Sequence, residues 1–269
     1  MRKKHTWTEK EEAYLVKNYK NRTHKQISEE ISIPVSSIRH KLKKLGIKKS
    51  RGFFRDGGDK YEIKSNYFKE LNEKSCYILG FIAADGHIET NGRHRLTIGI
   101  NKKDLNILDF IKSEISPDAK IHGPNKLDCV TLNMSGKTLI SDLVDLGLDC
   151  KKEGLKNIFN KVPYEHYGDF IRGFFDGDGS ISWTVRTRGK YSSVEGKVNF
   201  CNTDLDFLTE LQRVFGFGSI IIESSYYYLQ VSSLKSMKKI YDTMYYSDSF
   251  YLKRKKEKFI KFFEARGIL

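Results

Sequence analysis

The sequence predicts an α+β protein. It has two pseudo-symmetric repeats, each reading helix–strand–strand–helix–strand–strand–helix (αββαββα). They pack through their leading helices and are preceded by a small three-helix domain. Three observations predict this. An apolar segment beginning at Cys76 recurs at Asp169, and both copies are followed by the same succession of alternating runs and helices. The first fifty residues hold three short helical patterns and much of the positive charge.

Within residues 1–47, Thr8 and Glu11 form a T-x-x-E capping box ahead of Tyr14, Leu15 and Tyr19 at helical spacing. Thr23 caps a second helix holding Ile27 and Ile31. A third begins near Ser36 after Ile33-Pro34, with Ile38, Leu42 and Leu45 inside and Arg39, His40, Lys41, Lys43 and Lys44 outside, and ends at Gly46. Residues 1–50 carry 14 Lys/Arg against 5 Asp/Glu, a net of +9. A basic last helix in such a unit suits the major groove, with Arg39, His40 and Lys43 as DNA contacts. Opening with Trp7 before Thr8-Glu9, the segment resembles a Myb/SANT-like or related helix-turn-helix. Residues 48–66, rich in Gly, Lys and Arg, read as a basic linker.

The whole chain has 48 Lys+Arg against 34 Asp+Glu, a formal charge of +14. A globular chain this basic meets a polyanion, because neutralising phosphates releases counterions; a solubilising surface excess gives the same number. Cys76, Cys129, Cys150 and Cys201 form no CxxC pair, so neither zinc nor a disulfide framework is indicated, and a reduced intracellular compartment fits. No apolar leader and no run of about 18 apolar residues occurs, so the chain is expected to be soluble, unsecreted and not membrane-spanning.

The repeats span 67–162 and 163–269. Copy one opens Cys76-Tyr-Ile-Leu-Gly-Phe-Ile-Ala-Ala-Asp-Gly-His-Ile88, copy two Asp169-Phe-Ile-Arg-Gly-Phe-Phe-Asp-Gly-Asp-Gly-Ser-Ile181. Small residues recur four apart, Gly80 with Ala84 and Gly173 with Gly177, giving each helix a flat stripe along which two backbones can approach. Pairing brings Asp85 and Asp178 together at negative helix ends, where two carboxylates repel and need a cation. Hard oxygen donors beside water and phosphate favour Mg²⁺, which serves in-line phosphodiester hydrolysis. The candidate metal set is Asp85 and Asp178 with Ala84, Gly86, Gly177 and Gly179 beside them. A pair of buried helices ending in Asp-Gly turns, without chemistry, would share the pattern but leave its duplication and the basic charge unexplained.

These paired segments resemble the motifs of LAGLIDADG homing endonucleases in their single-chain, two-motif form, over about residues 70–265. The resemblance implies that Asp85 and Asp178 bind the catalytic metals. The earlier motif acid is Asp176 in copy two and Ala83 in copy one. The resemblance further implies a lysine near each repeat's last helix, best fitted by Lys152 and Lys255, where a phosphate contact or solvated charge is equally open. It also implies water-orienting polar residues at Lys102 and Asn202. The implied activity is site-specific, metal-dependent double-strand cleavage of a target of roughly 20 base pairs by a monomer with no obligatory protein partner.

Alternation marks DNA-facing strand positions: Ser182, Thr184, Arg186 and Arg188 against Ile181, Trp183 and Val185; Arg93, Arg95 and Thr97 against Leu96, Ile98 and Ile100. Lys197 and Asn199 alternate with Val198 and Phe200, and Tyr226, Tyr228 and Gln230 with Tyr227, Leu229 and Val231. A solvated sheet face alternates likewise. A D…ExK nuclease (Asp178, Glu195, Lys197) leaves Asp85 unexplained, and the seven histidines show no paired arrangement for HNH chemistry. A non-cleaving transcription regulator on the same scaffold is the alternative function, disfavoured by retention of both acids. Intron RNA is a second partner if the chain also acts as a maturase, whereas an intein origin does not fit. The expected setting is cytoplasmic (nucleoid-associated or phage-encoded) or an organellar matrix.

Overall fold

The computed structural model describes residues 5–19, 21–47, 53–54, 61–64, 66–92, 94–150, 154–246 and 250–268, with the backbone alone at Phe53, Phe54 and Arg188. In chain order the elements are α1 (Glu9–Asn18), α2 (His24–Ile31), α3 (Val35–Lys44), β1 (Phe53–Phe54) and β2 (Ile63–Lys64). Then follow α4 (Glu73–Asp85), β3 (Gly86–Glu89), β4 (Arg95–Asn101), α5 (Leu105–Ile115), β5 (Ile121–His122), β6 (Cys129–Ser135) and α6 (Lys137–Asp145). The second copy gives α7 (Tyr167–Asp178), β7 (Gly179–Arg188), β8 (Tyr191–Asn202), α8 (Leu205–Phe215), β9 (Ser219–Ile222), β10 (Tyr227–Val231) and α9 (Leu234–Met244). A last helix, α10 (Lys253–Ala265), exceeds the repeat expected from the sequence. The strands form two antiparallel four-stranded sheets and the short β1–β2 ladder. No described helix is long and apolar enough to cross a membrane.

Two compact units divide the chain, one of Met1–Lys69 with Glu89–Asp142, the other of Glu70–Ile88 with Leu143–Leu269. In the first, Leu15, Ile27, Ile33, Ile38 and Leu42 form the core of α1–α3, flanked by Trp7, Tyr14, Tyr19, Ile31 and Ile47. Both expected N-caps are present: the Thr8–Glu11 box, and at Thr23 a box completed by Gln26. Leu45, expected inside, is exposed. Gly46, at φ +66, turns the chain so that the Ile47 amide bonds back to Leu42 and Ile47 takes the apolar place beyond the helix.

Of the expected linker, residues 61–64 are packed rather than solvated. Ile63 and Glu62 are buried, Glu62 meeting His24 Nδ1 at 2.9 Å and Arg39 Nη2 at 3.1 Å. Its backbone carbonyl also accepts from Ser116 Oγ at 2.7 Å. The basic, glycine-rich composition of 48–66 concealed this because one buried acid decides it. Further along the unit, β4, β6 and β5 pair in that order, with Leu96, Ile98, Ile100, Val130, Leu132 and Met134 turned onto α5 residues Ile107, Leu108, Ile111 and Ile115.

In the second unit the strand order is β7-β8-β10-β9, so β8-β10-β9 repeats the β4-β6-β5 order of the first copy. Val198, Phe200, Leu229 and Val231 face the core against α8 residues Phe207, Leu208 and Leu211, and Ile181 of β7 is buried as well. The two motif helices, α4 and α7, lie backbone against backbone. A methyl group on Gly80 would sit 2.0 Å from the carbonyl oxygen of Phe170, and one on Gly173 would sit 1.9 Å from that of Tyr77. The small-residue stripe read from the sequence is therefore the contact itself. Beside it, buried Arg172 donates to the carbonyls of Phe250 and Met244 and to Asp169, whose other oxygen meets Tyr246 and His166. Every charge there has a partner, as a desolvated ion pair requires.

Candidate active site and nucleic-acid interface

Each motif helix ends at its aspartate and passes straight into a strand. Gly86 and Gly179 both have extended backbone (φ −78 and −85), so they are not left-handed turn residues. They are glycines for want of space: a Cβ on Gly179 would lie 2.0 Å from Phe175 Cδ2, and one on Gly86 2.5 Å from the Ile82 carbonyl oxygen. Tight exits hold both carboxylates at the edge of the core, and Asp85, Ala84, Gly177 and Asp178 are all half-buried.

The pairing brings the acids of the two copies into one site. A Cβ on Gly177 would sit 2.4 Å from Ala84 Cβ and 3.2 Å from Asp85 Oδ2, so the missing side chain leaves room beside the opposing carboxylate. Among the described residues no group of three or more His, Cys, Asp or Glu side chains is placed to hold a metal ion. Asp85 and Asp178 are nonetheless hard oxygen donors of the kind that a divalent cation takes.

Lys255 joins this site from α10. Its ammonium is buried and donates to the carbonyl oxygens of Phe175 (2.6 Å), Asp176 (2.7 Å), Gly177 (2.9 Å) and Gly179 (2.8 Å). These are carbonyls at and just past the end of α7, where a cation answers the helix dipole. Burial lowers its pKa to about 8, against the opposing pull of Asp176, Asp85 and Asp178. Lys152 lies outside the described residues.

Asp176, the earlier acid of the second motif, is 2% exposed. Its Oδ2 accepts from the Tyr77 hydroxyl at 2.8 Å and from the Leu252 amide at 2.7 Å, while Oδ1 has no hydrogen-bond partner among the described residues. Burial raises its pKa to about 6 although both hydrogen bonds and the charges of Lys255 and Arg172 favour ionisation. The one available signal was the Asp176/Ala83 mismatch between the copies.

Asn202 ends β8 opposite Tyr227, and its Oδ1 accepts from the Asp204 amide at 2.8 Å. Its structural counterpart in the first copy is Asn101, which ends β4 opposite Cys129 and accepts from Lys103 at 3.1 Å. Lys102, the residue paired with Asn202 on sequence, instead reaches Asp128 at 2.8 Å on the surface. The extra residue in Asn101-Lys-Lys-Asp104 relative to Asn202-Thr-Asp204 displaced the alignment by one.

Most expected DNA-facing strand residues share one sheet face in each copy. In the second, Ser182 pairs with Lys197 and Asn199 with Gln230, while Arg186 reaches Glu195 at 3.0 Å. Tyr228 is half-buried opposite Cys201, and its ring meets that of exposed Tyr226 edge-on at 5.3 Å. In the first, Arg95 lies opposite Ser135, and the Thr97 hydroxyl donates to Asn133 at 2.8 Å. Arg95 Nε and Asn199 Oδ1 are buried atoms without a hydrogen-bond partner among the described residues. Trp183 and Val185, expected to face inward, are 38% and 54% exposed because the outer half of the β7–β8 hairpin runs past the core; the Trp183 ring lies 6.5 Å from that of Phe262 on α10. Arg93 and the Arg188 side chain lie outside the described residues. In α3, Arg39, His40 and Lys43 are exposed, and Lys41 turns inward to Glu12 and the Trp7 ring.

Two half-repeats that share one helix seam, with an acid at the foot of each helix, define the two-motif LAGLIDADG fold. Residues 171–265 match the family described as LAGLIDADG endonuclease. The structure is similar to the LAGLIDADG meganuclease I-AabMI bound to uncleaved DNA, with a TM-score of 0.57 at 17% identity over 74% of this chain and 91% of the other. It is also similar to the I-LtrWI LAGLIDADG homing endonuclease bound to target DNA (TM-score 0.57, 14% identity, 72% and 91%). A third similar structure is I-SmaMI bound to an uncleaved DNA target in the presence of calcium ions (TM-score 0.56, 15% identity, 74% and 92%). A comparison with curated proteins gives no match.

Proposed function

We propose that this chain is a site-specific homing endonuclease of the LAGLIDADG type that makes double-strand breaks in a long DNA target as a monomer. The observation that carries this reading is the pairing of Asp85 and Asp178 at one end of the glycine-tight α4–α7 seam. A duplicated acid suits two antiparallel strands, one scissile phosphate for each copy. The family match, the DNA-bound neighbours and the +14 charge support it.

Asp85 and Asp178, with carbonyls of the Ala84–Gly86 and Gly177–Gly179 segments, would hold Mg²⁺ or another divalent cation. When bound, the metal supplies charge neutralisation and nucleophile activation at the phosphate. The chain's own residues do the rest. The polar sheet faces, including Arg95, Ser182, Lys197, Asn199 and Gln230, read base edges. Lys255 keeps a positive charge against the α7 terminus beside Asp178. Asn101 and Asn202 orient groups at the strand ends. The helix-turn-helix unit adds phosphate and groove contacts through Arg39, His40 and Lys43.

The test is incubation with a randomised DNA library and Mg²⁺, followed by sequencing of the ends. One long target of roughly 20 base pairs, cut on both strands and protected by a chelator, is the expected result. Tight binding without cut ends would instead support the non-cleaving regulator.

A further inference from the structure

The two motif helices differ at one buried position, Asp176 in α7 against Ala83 in α4. Asp176 ties three elements at one carboxylate oxygen, accepting from Tyr77 on α4 and from Leu252, the residue that opens α10. Three residues past Leu252 stands Lys255, whose ammonium reaches the carbonyls flanking Asp178. The brace and the lysine are therefore linked, with a backbone hydrogen bond from the Lys255 amide to the Leu252 carbonyl between them.

We propose that Asp176 is a positioning residue that seats Lys255 beside Asp178 by fixing the start of α10. Ala83 has no carboxylate to offer, so the first motif lacks this brace. The two half-sites are unequal by construction. This rests on the nuclease reading, and its consequence is confined to one DNA strand: loosening the brace slows the cut made at the Asp178 end and spares the other. Misplacing a supporting group in this way typically reduces function roughly 10- to 100-fold.

The experiment follows each strand separately in single-turnover cleavage of an end-labelled duplex carrying the library-derived site. The proteins compared are wild type, Asp176→Ala, Asp176→Asn and Lys255→Met. Hydrogen exchange at the Leu252 amide is read in parallel. Asp176→Ala is expected to slow the same strand as Lys255→Met by roughly 10- to 100-fold, accumulate nicked DNA and deprotect Leu252. Asp176→Asn, whose amide oxygen accepts both bonds, should keep Leu252 protected and restore most of that strand's rate. Equal slowing of both strands, or an unchanged nicking ratio with Leu252 deprotected, overturns the proposal, as does a Leu252 amide still protected in Asp176→Ala. If Asp176→Ala does not fold, the Asp176→Asn and Lys255→Met arms decide it. Absence of cleavage by the wild-type protein would count against the nuclease reading, while the exchange arm still tests the brace.

Discussion

The backbone of Tyr77 occupies the space that a side chain on Gly173 would need: a Cβ there would lie 1.9 Å from the Tyr77 carbonyl oxygen. Gly80 stands in the same relation to Phe170, at 2.0 Å. The neighbour in each case is main chain and cannot rotate aside, so the helices must separate to admit even a methyl. Gly173→Ala is expected to destabilise the second unit by about 3 kcal/mol or more, beyond ordinary overpacking. Gly99→Ala, whose Cβ would have its nearest neighbours at ordinary van der Waals distance, serves as the control and should lie within about 1 kcal/mol of wild type. Denaturant melts of both variants check this, and near-equal midpoints would count against the seam.

The acids are predicted to be separable from binding. Asp85→Asn and Asp178→Asn should each reduce double-strand cleavage roughly 100- to 1,000-fold or more, as expected when a key electrostatic group is removed. Packing should survive the near-isosteric amide. Affinity for the target should stay close to wild type, since it rests on Lys, Arg and strand-face contacts. Cleavage assays paired with gel-shift titrations separate the two quantities. Full cutting by the double variant in Mg²⁺ would remove both residues from the active site and reopen the D…ExK alternative.

Glu62 makes the first unit sensitive to acid. Burial works to raise its pKa, but hydrogen bonds from His24 and Arg39 outweigh this and hold it below its ordinary value of 4.5. A carboxylate lowered in this way contributes stability that is present above pH 4.5 and lost as pH falls through the folded-state value. The unfolding free energy of the wild type should therefore decline below pH 4.5 more steeply than that of Glu62→Gln. At pH 7 the variant should be weaker by about 1–3 kcal/mol. Parallel slopes would show that the bonds to His24 and Arg39 contribute nothing.

For the N-terminal unit the prediction concerns salt. Replacing Arg39, His40 and Lys43 with Ala should weaken DNA binding. It should also flatten the plot of log K against log salt by about 0.9 for each phosphate no longer neutralised. Cleavage at saturating protein should be unchanged. Because Arg39 also pairs with Glu62, a His40→Ala, Lys43→Ala variant isolates the effect on DNA. An unaltered salt slope would indicate that α3 meets something other than DNA.

The helix seam was legible because its cause is local: glycine and alanine four apart allow close backbones in any helix that carries them. The capping residues Thr8 and Thr23 and the strand alternation of β4 and β8 are equally local, and the elements they predict are present. Position in an alignment was less secure. A single inserted residue moved the partner of Asn202 from Asn101 to Lys102, and only strand register corrected it.

What the sequence alone determined, then, is the duplicated α+β plan, the pairing stripe and the two acids at its end, since the first follows from a repeated pattern along the chain and the others from spacing within one helix. The tertiary structure decided the rest. It placed Glu62 against His24 and Arg39, turned Lys255 onto the α7 terminus and left Trp183 on the surface. It also gave Asp176 its hydrogen bonds with Tyr77 and Leu252, 99 and 76 residues away in the chain. Such pairings depend on where distant segments meet in space, and no periodicity along the chain encodes that.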